Sequence, residues 1–210
     1  GIGYYPYTVV IPNGNYRTTG TIQLITGTRL IGVSRGSVRF LNQFSTGTFG
    51  LASDVRLENI LIEGTDLETD IAIVGDNTSR VNIRGVDILG GSFDNHRNKA
   101  LKITGDTWMT LLVYECVWDI GNEVGWAVRL EGNAANPQNS DTHFRDVFLD
   151  TFHATVDGGS GGFYVKDIYA PRLSDCLIRT SAVGTNVWID RTNTEDTSPV
   201  DILLENCSCE

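Results

Sequence analysis

The sequence predicts an all-β chain wound as a parallel solenoid of about seven coils, each built from three short strands. Three observations predict it. A ten-residue pattern recurs six times at near-constant spacing. Within each copy the apolar positions fit a strand, a sharp corner and a second strand. A further set of cleanly alternating strands lies between the copies. Composition agrees: 23 Gly, abundant Thr, Asn, Ser and Asp, and no segment with helical periodicity suit many short strands joined by many turns.

The copies are VRLENILIEG from Val55, VNIRGVDILG from Val81, LLVYECVWDI from Leu111, THFRDVFLDT from Thr142, PRLSDCLIRT from Pro171 and ILLENCSCE from Ile202. Their fifth residues are Asn59, Gly85, Glu115, Asp146, Asp175 and Asn206, at intervals of 26, 30, 31, 29 and 31 residues. Apolar residues fill the third, sixth and eighth positions, as in Leu57, Ile60 and Ile62. In an unbroken strand the third and sixth residues face opposite sides. Both are apolar, so the chain must bend between them. The fifth position is where the bend falls, and Asn, Asp or Gly there tolerates the left-handed backbone of a tight corner. Leu57, Ile60, Ile62, Val86, Ile88, Val147, Leu149 and Ile178 are therefore expected to line one continuous core.

The third strands are IAIVGD from Ile71, LKITGD from Leu101, VRLEGN from Val128, FYVKD from Phe163 and VWIDR from Val187. With 210 residues and about 29 per coil, about seven coils stack at about 4.8 Å each. The dense leucine signature and helical return of a leucine-rich repeat are missing.

The opening VVIPNGNYR from Val9, followed by RLIGVS from Arg29, resembles the first coil of the pectate-lyase-like superfamily. The Asn59-type corner is similar to that family's asparagine-rich second turn. The resemblance covers nearly the whole chain and implies one domain over residues 1–210, a single-stranded right-handed parallel β-helix. It is specific for fold. Lyases, hydrolases, phage tailspikes and adhesins share that fold, so function must be argued from a site. The likeness is greatest to tailspike and polysaccharide depolymerase domains.

Lys and Arg total 16 and Asp and Glu 26, a net charge of −10, which disfavours a general nucleic-acid backbone binder. No apolar run is long enough to insert in a membrane as a helix. The first residues show neither the basic nor the apolar region of a signal peptide. Of four cysteines, Cys116, Cys176 and Cys207 share the sixth, inward position. Cys207 and Cys209 are two apart on one strand, an awkward span for a disulfide. All four are expected to be reduced and mostly buried, as suits folding in a cytoplasm.

A solenoid core is filled by side chains, so chemistry must sit on an outer face or in the turns. Alternation along the third strands puts Ala72, Lys102, Arg129, Tyr164 and Trp188 in one outward row. The next row is Val74, Thr104, Glu131, Lys166 and Asp190. Aromatic faces stack on sugar rings, and Lys or Arg pair with anionic sugars. The same residues also suit an ordinary solvated sheet face with cross-strand charge pairs. Glu131 and Asp190, two coils apart, stand at roughly 9–10 Å, near the separation of an inverting glycosidase.

A second outward column holds Glu63, Leu89, Asp119, Asp150, Arg179 and Glu210. Asp119 and Asp150 lie on adjacent coils at roughly 5 Å, the retaining separation. Arg179 could equally neutralise them, and a solvated carboxylate ladder or a calcium site fits as well. In the turns, Asp94, His96 and Arg97 bring acid, imidazole and guanidinium together. Turns carrying Glu123, Trp126, His153 and Asp157 would form a wall beside the groove. The GGSGG run from Gly158 is no phosphate cradle, since no Lys-Ser/Thr follows. No zinc motif is present, and no cofactor is expected beyond the calcium option.

Three functions follow. One is a homotrimeric virion tailspike-like β-helix, folded in the host cytoplasm and displayed on the virion surface, that binds a host-surface polysaccharide, with or without cleaving it. A second is an extracellular polysaccharide lyase or glycoside hydrolase. A third is a structural or adhesive β-helix without catalysis. A lyase would want a compact Asp triad for calcium beside a base such as Lys102, Arg129 or Lys166, and no such triad is evident. The pattern stops in mid-strand at Glu210 and starts as abruptly, so a longer chain or a covering subunit is expected.

Overall fold

The structure, a computed structural model, describes residues 7–42, 47–64, 71–76, 80–89, 99–105, 109–120, 126–132, 140–151, 161–168, 171–180, 185–190 and 203–210. Every regular element among them is a strand, and every strand pairing is parallel.

Three ladders run the length of the solenoid. The first begins with Tyr7–Ile11, Thr28–Gly32, Val55–Glu58 and Val81–Arg84. It continues through the front halves of Met109–Asp119 and Ser140–Thr151 to Arg172–Ser174 and Leu203–Glu205. The second holds Gly14–Thr18, Val38–Asn42, Leu61–Gly64 and Asp87–Leu89. It then takes the rear halves of the two long strands, Leu177–Thr180 and Ser208–Cys209. The third is Ile22–Gln23, Phe49–Leu51, Ile71–Asp76, Lys99–Thr104, Trp126–Glu131, Gly161–Lys166 and Thr185–Asp190. The chain is therefore a parallel β-solenoid. It has about five turns, fewer than the seven coils expected from length.

The repeat maps onto the corner between the first two ladders. Asn59, Gly85, Glu115, Asp146, Asp175 and Asn206 all have positive φ, between 51° and 58°. Corner N–H groups still reach the next coil: Asn59 N donates to Arg84 O at 3.1 Å, Gly85 N to Tyr114 O at 3.0 Å, and Asp175 N to Glu205 O at 2.9 Å. A bend thus costs no backbone hydrogen bond, which is why it can repeat in every coil.

Leu57, Ile60, Ile62, Val86, Ile88, Val147, Leu149 and Ile178 are all buried in one continuous core. Trp118 takes the eighth position of its copy, is fully buried, and donates its indole N–H to Val86 O at 3.0 Å. A fully buried aliphatic side chain contributes about 1.5–3 kcal/mol, so these columns supply the main drive for winding. The four cysteines are free thiols. Cys116 and Cys176 are buried as expected, Cys207 is half-buried, and Cys209 is exposed, which corrects the expectation for that residue. Cys209 pairs with Ile178, and no described strand covers its other side.

Candidate functional site

The outer face of the third ladder gathers the aromatic and charged side chains. Register places Val74, Lys102, Arg129, Tyr164 and Trp188 in one row across five coils. The next row is Asp76, Thr104, Glu131, Lys166 and Asp190. This corrects one detail of the sequence reading, which set Ala72 and Val74 in these rows. The matching Gly-Asp ends of IAIVGD and LKITGD suggest one alignment, yet the core sets another: buried Ile73 seats against buried Leu101. Ala72 is itself 8% exposed and belongs with the core.

Alternation breaks near the start of these strands. Ala127 and Val128 are consecutive and both fully buried, so Trp126 emerges on the outer side. Its register partner is Gly161, which has no side chain to obstruct it. The Trp126 ring lies 5.5 Å from Tyr164 and 6.4 Å from Trp188, centroid to centroid. Since Trp126 and Trp188 are two coils apart, the indole leans over the bare Gly161 rung. The three rings form one aromatic platform, with Trp188 50% exposed.

Polar groups border the platform. The Arg129 guanidinium stands 5.4 Å from the centre of the Tyr164 ring, a cation–π distance. Its Nε donates to Glu131 Oε1 at 2.9 Å. The Tyr164 hydroxyl donates to Asp190 Oδ2 at 2.9 Å. Burial and that hydrogen bond push the Tyr164 phenol up to about 12. Lys166 lies between Glu131 and Asp190 in the row. Among the described residues neither Lys102 nor Lys166 forms an ion pair. Thr104 donates to Asp76 at 3.1 Å further along.

The second carboxylate pair is in place too. Asp119 and Asp150 are direct register partners in the second ladder, with Leu89 before them and Arg179 after. Arg179 ion-pairs with Asp150 at 3.3 Å and with Glu210 at 3.5 Å. This column reads as a charge ladder in which a guanidinium bridges two acids. Among the described residues no three His, Cys, Asp or Glu side chains converge to hold a metal ion. Asp94, His96 and Arg97 lie outside the described residues, as do Glu123, His153 and Asp157.

No protein-family model matches the chain, and no curated protein sequence does. Solved structures do. The chain shares its fold with an alginate lyase. The match to the PL6 family alginate lyase AlyGC has a TM-score of 0.56 at 10% identity, covering 100% of this chain and 37% of that one. An arginine-to-alanine variant of the same enzyme matches at 0.54 and 10%. The chain thus spans little more than a third of that enzyme. The ORF18 protein of Geobacillus virus E2 matches at a TM-score of 0.45 and 13% identity, over 97% of this chain and 52% of that one.

Proposed function

We propose that the outer face of the third ladder binds a polysaccharide, and that this solenoid belongs to a homotrimeric spike that recognises a cell-surface glycan. The carrying observation is the Trp126–Tyr164–Trp188 platform, partly exposed and bordered by Lys102, Arg129 and Lys166. Rings side by side across adjacent coils match successive sugars laid along the solenoid axis, and ammonium or guanidinium groups suit carboxylated or sulfated units.

Binding is favoured over hydrolysis by the setting of the carboxylates. A glycosidase needs a neutral proton donor and an ionised partner. Glu131 is ion-paired to Arg129, and Asp190 accepts a hydrogen bond from the Tyr164 hydroxyl, so both carboxylates are engaged by neighbouring side chains. The test is binding of bacterial capsular and lipopolysaccharide glycans to the chain and to Trp188→Ala. Loss of about 1–3 kcal/mol of binding on Trp188→Ala is expected, the size of aromatic stacking on a base. Unchanged affinity would remove the platform from the binding face. Product release that survives in a Glu131→Gln, Asp190→Asn double variant would move catalysis elsewhere. Native mass measurement tests the trimer.

A further inference from the structure

A second group of polar side chains faces solvent on the first ladder. Arg29 and Arg56 are direct register partners on adjacent coils, and Asn82 follows Arg56 on the next. With Thr26, Asp54 and Arg80 they line a pocket of about 460 Å³.

Three features set this pocket apart. Its rim is built from a repeated left-handed turn: Gly27, Asp54 and Arg80, each just before a strand of the first ladder, have φ of 81°, 57° and 54°. Two of these are not glycine, and such strain persists only where surrounding structure enforces it. A two-point ion pair links two of these turns on adjacent coils, Arg80 Nε to Asp54 Oδ1 at 2.6 Å and Nη2 to Oδ2 at 2.8 Å.

The second feature is uncompensated charge. In a chain of net charge −10, eight of the described arginines meet a carboxylate, Arg56 through Glu58 among them. Arg17, Arg29 and Arg172 meet none, and of these only Arg29 has another arginine as register partner. Like charges directly opposite on neighbouring strands are unfavourable, so an anion between them would be stabilising. The third feature is Asn82. Its Oδ1 is buried without a hydrogen-bond partner, so rotation of this unheld amide would present it to a donor in the pocket.

We propose that this pocket binds one acidic sugar unit, its carboxylate or sulfate held between Arg29 and Arg56 and one of its hydroxyls donating to Asn82 Oδ1. The site is on a different sheet from the aromatic platform and does not depend on it. Calorimetry on the whole chain would use a glucuronate tetrasaccharide and a sulfated tetrasaccharide as probes, maltotetraose as the neutral control and sodium sulfate as the bare anion. At least one acidic probe should bind, more weakly as salt rises to about 0.15 M. Arg29→Gln, which disturbs no ion pair, should weaken it about tenfold or more, the value of a charge-assisted pair. Asn82→Ala should weaken it less, and Arg29→Gln should weaken it in a Trp188→Ala background as it does in the parent. Failure of both acidic probes, or unchanged affinity in Arg29→Gln, would overturn the proposal. Equal binding of maltotetraose would remove the anion, and equal binding of sulfate would remove the sugar. Affinity lost in Trp188→Ala but kept in Arg29→Gln would assign the acidic glycan to the aromatic platform alone, and this second site would fall while the first stood.

Discussion

The hydroxyl of Tyr164 donates a 2.9 Å hydrogen bond to Oδ2 of Asp190, one coil further along the solenoid. This contact ties the aromatic row to the charged row beside it. It also fixes the Tyr164 ring, whose face meets Arg129 and which lies tilted beside Trp126.

One consequence is readable by pH. Burial and the Asp190 hydrogen bond move the Tyr164 phenol from 10 up to about 12. The folded state then keeps this proton after the unfolded state has lost it. Stability from this group is complete below pH 10 and drains away as pH rises toward 12. Alkaline absorbance titration of the native chain should show one tyrosine lagging the rest, and Tyr164→Phe should abolish the lag. A Tyr164→Phe titration identical to that of the parent would contradict the contact.

The core makes a harder demand. Val147 is 1% exposed, in register with the buried Cys116 of the preceding coil. Val147→Asp would bury a carboxylate with no partner and should cost several kcal/mol, on the order of 3–5. Urea unfolding should show a midpoint collapse or an insoluble product, whereas Val147→Ile should be tolerated within about 1–2 kcal/mol.

The corner was legible in the sequence because it violates alternation: apolar residues at the third and sixth positions admit only a bend. All six fifth-position residues confirm it by their φ. The Trp126 platform was harder to read for the opposite reason. Where Ala127 and Val128 are both inward, strict alternation inverts Trp126, and only small side chains along that column hint at the irregularity. The row shift at Ala72 has a similar origin, since core seating of Ile73 outweighs a matching Gly-Asp motif. The Arg29 pocket left no local signal, because Arg29, Arg56 and Asn82 lie 27 and 26 residues apart and meet only through coil stacking.

Corner chemistry gives a third prediction. Asp146 has φ of 52° and pairs with Arg145 only at the surface, 3.3 Å away. A β-branched residue is poorly suited to that backbone, and the left-handed penalty is about 1–2 kcal/mol for a residue with a Cβ. Asp146→Val should lose about that much stability in denaturant unfolding, whereas Asp146→Gly should be neutral within about 1 kcal/mol. Equal losses in both would mean that the carboxylate matters more than the bend.

The thiols should react in an order set by burial. Cys209 is exposed and Cys207 half-buried, whereas desolvation pushes the Cys116 and Cys176 thiols up to about 12. A thiolate is the reactive form, so the two core thiols should be silent to an aromatic disulfide reagent at neutral pH. Cys209 should react first and Cys207 more slowly. After unfolding without reductant, all four should titrate; a count of two would reveal a disulfide.

Gly161 links the core to the aromatic face. A Cβ there would stand 1.9 Å from the Thr185 carbonyl oxygen, a backbone atom that cannot swing aside. The same bare rung is what the Trp126 indole leans across to reach Trp188. Gly161→Ala should therefore do two things at once. Forcing the last strand of the third ladder outward should cost about 1–3 kcal/mol, as overpacking does. Separating Trp126 from Trp188 should change tryptophan fluorescence and weaken glycan binding by more than the stability loss explains. Stability lost without any fluorescence change would show that the platform does not need the close approach. An unaltered Gly161→Ala protein would mean that the two strands are not packed as closely as this register requires.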